Sequence, residues 1–245
     1  MRLIRSTLYL LWLAVTLIPW TSMMVLVSLV IRGKPLYALA VIWCRYMALG
    51  GARWLLGIRY RVHGIENLPQ DPRAGAVVLS KHQSAIETFL LPIVMPHQLS
   101  YVLKRELLRI PFFGWGLARL DVIPIDRSLR GQASTKLAEH GKPLLDQGIW
   151  VAVFPEGTRI PRGQKGEYKL GGARLAVQTG VPVIPVALNS ARVWPRNAFI
   201  KKPGVIDVSI GPLIQSTGRE PKALMQEAQA WIEAEMRRID PEAYP

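Results

Sequence analysis

The stretch Lys81-His82-Gln83-Ser84-Ala85-Ile86-Glu87 holds a histidine and a carboxylate five residues apart. In mid-helix that spacing would put them about 140° apart and out of reach. They meet if His82 lies ahead of a helix and folds back over its first turn. A histidine with a carboxylate partner is a general-base unit. The carboxylate fixes the tautomer and stabilises the imidazolium that forms when a hydroxyl proton is taken. A helix N-terminus disfavours the charged ring, which keeps His82 neutral and ready to accept. The same residues also fit a plainer reading, with Ser84-x-x-Glu87 as a capping box and His82 as an ordinary surface side chain. The pair alone leaves both open.

A second constellation is Phe154-Pro155-Glu156-Gly157-Thr158-Arg159, behind the apolar run 149–153. Gly157 permits a tight turn, and Arg159 can offer a planar fork to a phosphate. Arg162, Lys165 and Lys169 extend a basic surface beside it. The other histidines read as structural: His63 on a strand, His97 after Pro96, His140 beside Gly141. No pair has zinc-ligand spacing, so no metal is expected. Ser84 lacks the Gly-x-Ser-x-Gly setting of a nucleophile and reads as a cap. Asp121 and Asp126 read as solvated strand ends.

The elements that must carry these residues follow from hydrophobic patterning. Strands are predicted near 60–63, 76–79, 99–103, 121–125, 149–154, 183–188 and 205–210. Helices are predicted at 85–94, 112–120, 134–145, 170–179 and 221–239, and Gly141 and Pro143 should break or end the third of these early. The last helix carries Leu224, Ala228, Trp231, Ile232, Met236 and Ile239 on one stripe, a core-packing pattern. Alternating strands and helices imply an α/β fold, a mixed sheet of about seven strands with helices on both faces. His82 and the Phe154–Arg159 block then fall just beyond strand ends, where such sheets bind ligands.

The chain has 245 residues, 50% of them hydrophobic, and a net charge of +14. Apolar and basic together suit an anionic membrane surface or anionic substrates. No nucleic-acid-binding motif accompanies the charge, so no nucleic-acid partner is expected. The single Cys44 excludes an internal disulfide. From Ser6 to Ile31 no residue is charged, and as a helix this run would be roughly 39 Å long, enough to cross a bilayer with tilt. Pro19 near its middle also allows a kinked or re-entrant helix. A cleaved signal peptide would have a shorter apolar region. A second apolar segment, 36–58, carries Arg45 and Arg53 among Trp43, Tyr46 and Trp54, the mixture found in lipid-interface helices. Residues 1–58 therefore read as an N-terminal membrane-embedded two-helix anchor, and 59–245 as the catalytic or binding domain. The positive-inside bias places the basic remainder in the cytoplasm.

Taken together, the blocks resemble the glycerolipid acyltransferases, the 1-acyl-sn-glycerol-3-phosphate acyltransferase family. The first is Lys81 to Glu87, against the family's His-x-x-x-x-Asp. The second runs from Gly116 to Ile123-Pro124-Ile125-Asp126-Arg127, the third is Phe154 to Arg159, and the fourth is Val181 to Asn189. The segment Lys104-Arg105-Glu106-Leu107 with Pro111 and Gly114 also looks like the family's link between the first two. The resemblance spans about His63 to Pro212. Two positions depart from it: Glu87 replaces the usual Asp, and Lys81 the usual Asn.

The resemblance implies acyl transfer from a thioester to a lysophospholipid hydroxyl, without a metal, a cofactor or an acyl-enzyme. By it, His82 is the base and Glu87 its orienting partner. Lys104, Arg127, Glu156, Gly157, Thr158 and Arg159 bind the acceptor's phosphate and glycerol. The implied partners are lysophosphatidic acid, acyl-CoA or acyl carrier protein as co-substrate, and membrane lipids. Glycerol 3-phosphate or another lyso-lipid is the alternative acceptor. The alternative class is a non-catalytic module that binds anionic lipid, for which charge and anchor would suffice. His82, Glu87 and the Phe154–Arg159 block are surplus to lipid binding and favour the enzyme.

Overall fold

The computed structural model describes every residue except 72, 127–132 and 245, and leaves the side chains of residues 133 and 134 undescribed. Its centre is a seven-stranded sheet in the order β1-β7-β6-β2-β5-β3-β4. The strands are β1 (Ile58–His63), β2 (Val77–Ser80), β3 (Leu99–Lys104), β4 (Ile123–Ile125), β5 (Trp150–Val153), β6 (Val183–Leu188) and β7 (Gly204–Ile210). Neighbours pair in parallel, except that β6 and β7 are antiparallel. The central strands β2, β5 and β6 are buried at every position, which is why they read as unbroken apolar runs.

Alternate residues of these strands serve two cores. Val78, Ala152, Ile184 and Val186 face one, and Val77, Leu79, Val151, Val153 and Val183 the other. The second core is closed by α5 (Ala133–Asp146), α6 (Gly171–Thr179) and α7 (Pro221–Ile239). The first is closed by α3 (Glu87–Val94) and by the N-terminal segment, which supplies Tyr9, Leu49, Ala52 and Leu56.

That segment starts with α1 (Arg2–Val27), among the described residues the one helix long and apolar enough to cross a bilayer. Pro19 lies inside it without ending it. Then α2 (Lys34–Trp43) continues into wider, π-helical turns at Cys44–Leu49 and Ala52–Leu56, ending at Gly57 with φ +72°. The side chains of α1 hold this second segment by its carbonyls: Tyr9 Oη to Ala48 at 3.0 Å, Trp12 Nε1 to Met47 at 2.9 Å, Trp20 Nε1 to Leu39 at 3.1 Å. Along its length α1 also touches the sheet domain. Ser6 Oγ accepts from the Lys201 N–H at 2.9 Å, Tyr9 packs edge-on against Trp194, and a Cβ on Gly116 would come within 3.0 Å of Thr21. The opposite face, Ile4, Leu8, Leu11, Val15, Ile18 and Leu26, is exposed.

Three local expectations need correction. α5 runs through Gly141 and Pro143 to Asp146. A side chain at 141 would meet Leu175 at 2.8 Å, so the glycine permits close α5–α6 packing, and Glu139, whose carbonyl loses its partner to Pro143, is exposed to water. Trp43 is buried against Phe89 rather than facing outward, whereas Tyr46 and Trp54 are exposed. Finally, α3 begins at Glu87, two residues later than its pattern suggests.

Candidate active site

Strands β2, β3, β4, β5 and β6 run in one direction, so the segments that follow them gather at one sheet edge. The chain leaves β2 for α3 on one face and leaves the adjacent β5 for α6 on the other. Loops from neighbouring strands that diverge in this way open a crevice between them. His82 follows β2, and the Phe154–Arg159 turn follows β5.

Within that crevice the main chain of His82 is tied at both ends. Its N–H donates to Glu156 Oε2 at 2.7 Å, and its carbonyl accepts from the Ile160 N–H at 2.7 Å. Its ring stacks on Phe154, with centroids 3.9 Å apart and planes inclined by 20°. Nδ1 lies 2.6 Å from Glu87 Oε2. A carboxylate only accepts, so Nδ1 carries the proton and Nε2 is left with its lone pair. No hydrogen bond occupies Nε2 among the described residues, and 16% of the His82 side chain is exposed.

Glu87 is fully buried and saturated. Its Oε1 accepts from the N–H groups of Gln83 at 2.9 Å and Ser84 at 2.8 Å, and from the Ser190 hydroxyl. One Glu87 oxygen thus meets the N–H groups of the turn and the other meets the His82 ring, so neither contact excludes the other. The other half of the capping box is weak, because Ser84 Oγ reaches only the Ile86 N–H, at 3.4 Å.

The expected phosphate and glycerol ligands divide. Arg159 is half-buried and Thr158 and Lys104 are exposed. Gly157 adopts φ +66°, with the Lys169 ammonium 3.1 Å from where a Cβ would sit, so a cation lies over the turn. Arg127 lies outside the described residues. Glu156 is placed differently from the others: its side chain is wholly buried beneath the turn, facing His82 and Lys81. Burial pushes its carboxyl up to about 7, against the lowering pull of Lys81 and the His82 N–H. Arg162 does not extend the free basic surface, because Asp240 and Glu242 both bind it. His63 faces Asp207, His97 stacks on Trp150, and Asp121 accepts from Gln98.

Sequence reasoning did not single out Ser190, Glu233, Tyr168 or Tyr244, and it marked Lys81 only as a departure from the family pattern, with no role. Ser190 lies two residues past the strand expected at 183–188, and because β6 pairs with β2 that position neighbours the loop carrying His82, a pairing the sequence does not show. Glu233 had a signal, a carboxylate inside the apolar stripe of α7 between Ile232 and Met236. That helix is more than core packing, since Glu233 Oε1 lies 2.7 Å from the fully buried Lys81 ammonium.

A family model described as Acyltransferase matches residues 59–189. The chain is 44% identical over 242 residues to a 1-acyl-sn-glycerol-3-phosphate acyltransferase of Pseudomonas aeruginosa, covering 97% of this chain and 92% of that protein. It is 38% identical over 138 residues to the human 1-acyl-sn-glycerol-3-phosphate acyltransferase alpha, covering 56% of this chain and 48% of that one. Among solved structures, the crystal structure of the 1-acyl-sn-glycerophosphate (LPA) acyltransferase of Thermotoga maritima superposes with a TM-score of 0.75. It is 25% identical and covers 96% of this chain and 97% of its own.

Proposed function

We propose a reaction for this chain on the premise that it belongs to the acyltransferase family. It transfers an acyl group from an acyl thioester, acyl-CoA or acyl carrier protein, to the free hydroxyl of lysophosphatidic acid, giving phosphatidic acid. The observation that carries this reading is the His82–Glu87 dyad, with Nε2 open and the main chain of His82 held by the turn that also presents Arg159.

In the reaction, Nε2 takes the hydroxyl proton as that oxygen attacks the thioester carbonyl. Glu87 stabilises the imidazolium through Nδ1–H. The tetrahedral intermediate then collapses, the carbon–sulfur bond breaks, and His82 returns its proton to the departing thiolate. Arg159, Lys104 and Lys169 supply the charge that holds the acceptor's phosphate, with Arg127 assigned the same role by its motif. Holding the acceptor beside the base makes the attack effectively intramolecular.

The lyso-lipid and its product reside in membranes, and α1 suits that setting. One face of the helix packs on the sheet domain from Ser6 to Thr21 while the other exposes apolar side chains. We place α1 along the membrane interface, bedded in lipid by its exposed face, with the basic domain drawn to anionic headgroups on the cytoplasmic side.

The test is product analysis by mass spectrometry with a panel of lyso-acceptors and both donor types, run in parallel on His82→Ala. Phosphatidic acid is the expected product, and the variant should lose at least the ~10²–10⁴ of a general base while keeping its melting temperature. A folded His82→Ala with near-normal turnover would sink the mechanism.

A further inference from the structure

We infer that Lys81 is a positioning residue for this reaction: its ammonium fixes the Glu156 carboxylate, and Glu156 fixes the main chain of His82. The inference rests on His82 being the base.

Lys81 cannot bind substrate directly. Its side chain is 0% exposed, enclosed by the rings of Tyr168 and Tyr244 at 5.9 and 6.0 Å. The ammonium sits between two carboxylates from distant parts of the chain, Glu156 Oε1 at 2.8 Å and Glu233 Oε1 at 2.7 Å, with the Gln164 carbonyl at 3.4 Å. Glu233 has a second partner, the Tyr168 hydroxyl at 3.0 Å. Glu156 Oε1 has no donor aligned on it, so the Lys81 charge is what compensates that buried oxygen. Its other oxygen, Oε2, holds the His82 N–H at 2.7 Å.

The consequence is mechanical as well as electrostatic. Without the ammonium, Glu156 and Glu233 are left buried with no cation between them. Glu156 then turns away or takes up a proton, and either outcome disturbs the bond to the residue that carries the base. Displacements of about 1 Å in a reacting geometry can cost ~10²-fold in rate. Burial alone would lower the affinity of Lys81 for its proton, but the two carboxylates reverse this to a net rise, so the cation persists.

The experiment compares Lys81→Met with Lys81→Met/Glu156→Gln in the full-length enzyme, assayed in vesicles with lysophosphatidic acid. Met removes the charge at similar length, and Gln retains an oxygen for the His82 N–H without needing a counter-charge. The single variant should lose roughly 10²-fold in kcat. Its KM for the acceptor should stay within about threefold, because Lys81 does not touch the acceptor. Adding Glu156→Gln should then recover about tenfold of the lost kcat. Near-normal kcat in folded Lys81→Met, or a loss that Glu156→Gln does not relieve, overturns the proposal. If Lys81→Met does not fold, the same comparison is made between Lys81→Met/Glu233→Gln and that pair with Glu156→Gln added, and the proposal requires the triple variant to be faster. His82→Ala is run alongside. An active His82→Ala removes the general-base reading. An inactive His82→Ala beside a fully active Lys81→Met removes only the positioning role.

Discussion

The two sides of the crevice are built in opposite ways. On the base side, Glu87 is fully buried and both main-chain groups of His82 are bonded to the Glu156–Ile160 segment. On the cation side, Thr158, Lys104 and Lys169 are exposed, and no ion pair to Arg159, Lys104 or Lys169 forms among the described residues. Arg162 nearby shows that this chain does tie an arginine down with carboxylates when its role is structural. Under the reaction proposed above, the difference follows from what each side must do. A proton acceptor works only from a fixed position and tautomer, so its supports exist before substrate arrives. A phosphate site receives its counter-charge from the ligand, and internal carboxylates would compete with that ligand.

The sharpest way to break this contrast is Glu87→Gln. An amide has a single acceptor oxygen. If that oxygen serves the Gln83 and Ser84 N–H groups, the amide NH₂ faces His82 Nδ1, which must then accept. The proton moves to Nε2 and the base is blocked. Turnover should fall by up to ~10⁴, as when a triad Asp becomes Asn. Stability should fall by only ~1–2 kcal/mol, because the cap donors keep a partner. Glu87→Asp restores the charge one methylene short and should recover part of the rate, since Asp is what the family pattern carries. Melting temperature and turnover are measured on both variants. A Gln variant that loses stability but keeps its rate would make Glu87 a cap alone.

A smaller effect is expected on the open side. Arg159→Lys keeps the charge but loses the planar fork, and should raise the acceptor's apparent KM roughly tenfold, about 1.4 kcal/mol. An acceptor analogue lacking phosphate should be nearly indifferent to the change. Steady-state kinetics with lysophosphatidic acid and with monoacylglycerol make the comparison. Equal losses on both would place Arg159 among the rigid supports, and the contrast between the two sides would fail there.

What was legible in the sequence was what local pattern encodes. The runs Val183–Leu188 and Pro221–Ile239 mark β6 and α7 to the residue, because a doubly buried strand and a one-sided helix have distinct periodicities. The His82–Glu87 pairing was legible because the two partners lie five residues apart, one on the loop after β2 and the other at the first residue of α3. Lys81 and Glu233 were not, being 152 residues apart and joined only when α7 closes over the sheet edge. The N-terminal segment was half-legible. Apolar residues toward lipid and toward protein read alike, so the sequence could not show that Tyr9, Leu49 and Leu56 close a core of the sheet. Nor could it show that α5 would hold through Pro143, where packing against α6 outweighs the loss of one helical bond.

The smallest expected effect concerns protons on the rigid side. The Glu156 carboxyl is pushed from its ordinary 4.5 up to about 7 by burial, with Lys81 and the His82 N–H only partly offsetting it. Between those two values the folded chain holds a proton that the unfolded chain has released. The stability slope is then negative, so this group lowers stability as pH rises from about 4.5 to 7 and costs its full amount above that. Asp207 and Glu235 have lowered values, so their contributions are lost below their ordinary range and leave the window from about pH 5 to 8 undisturbed. The detergent-solubilised protein should therefore melt a few degrees lower at pH 8 than at pH 5, given that ~1 kcal/mol moves Tm by about 2–4 °C in a chain of this size. Glu156→Gln cannot titrate and should flatten that slope, whereas Arg159→Lys on the open side should leave it unchanged. Parallel slopes in the wild type and Glu156→Gln would mean that the buried carboxyl is not the titrating group, and that the rigid side of the crevice holds its charges constant across this range.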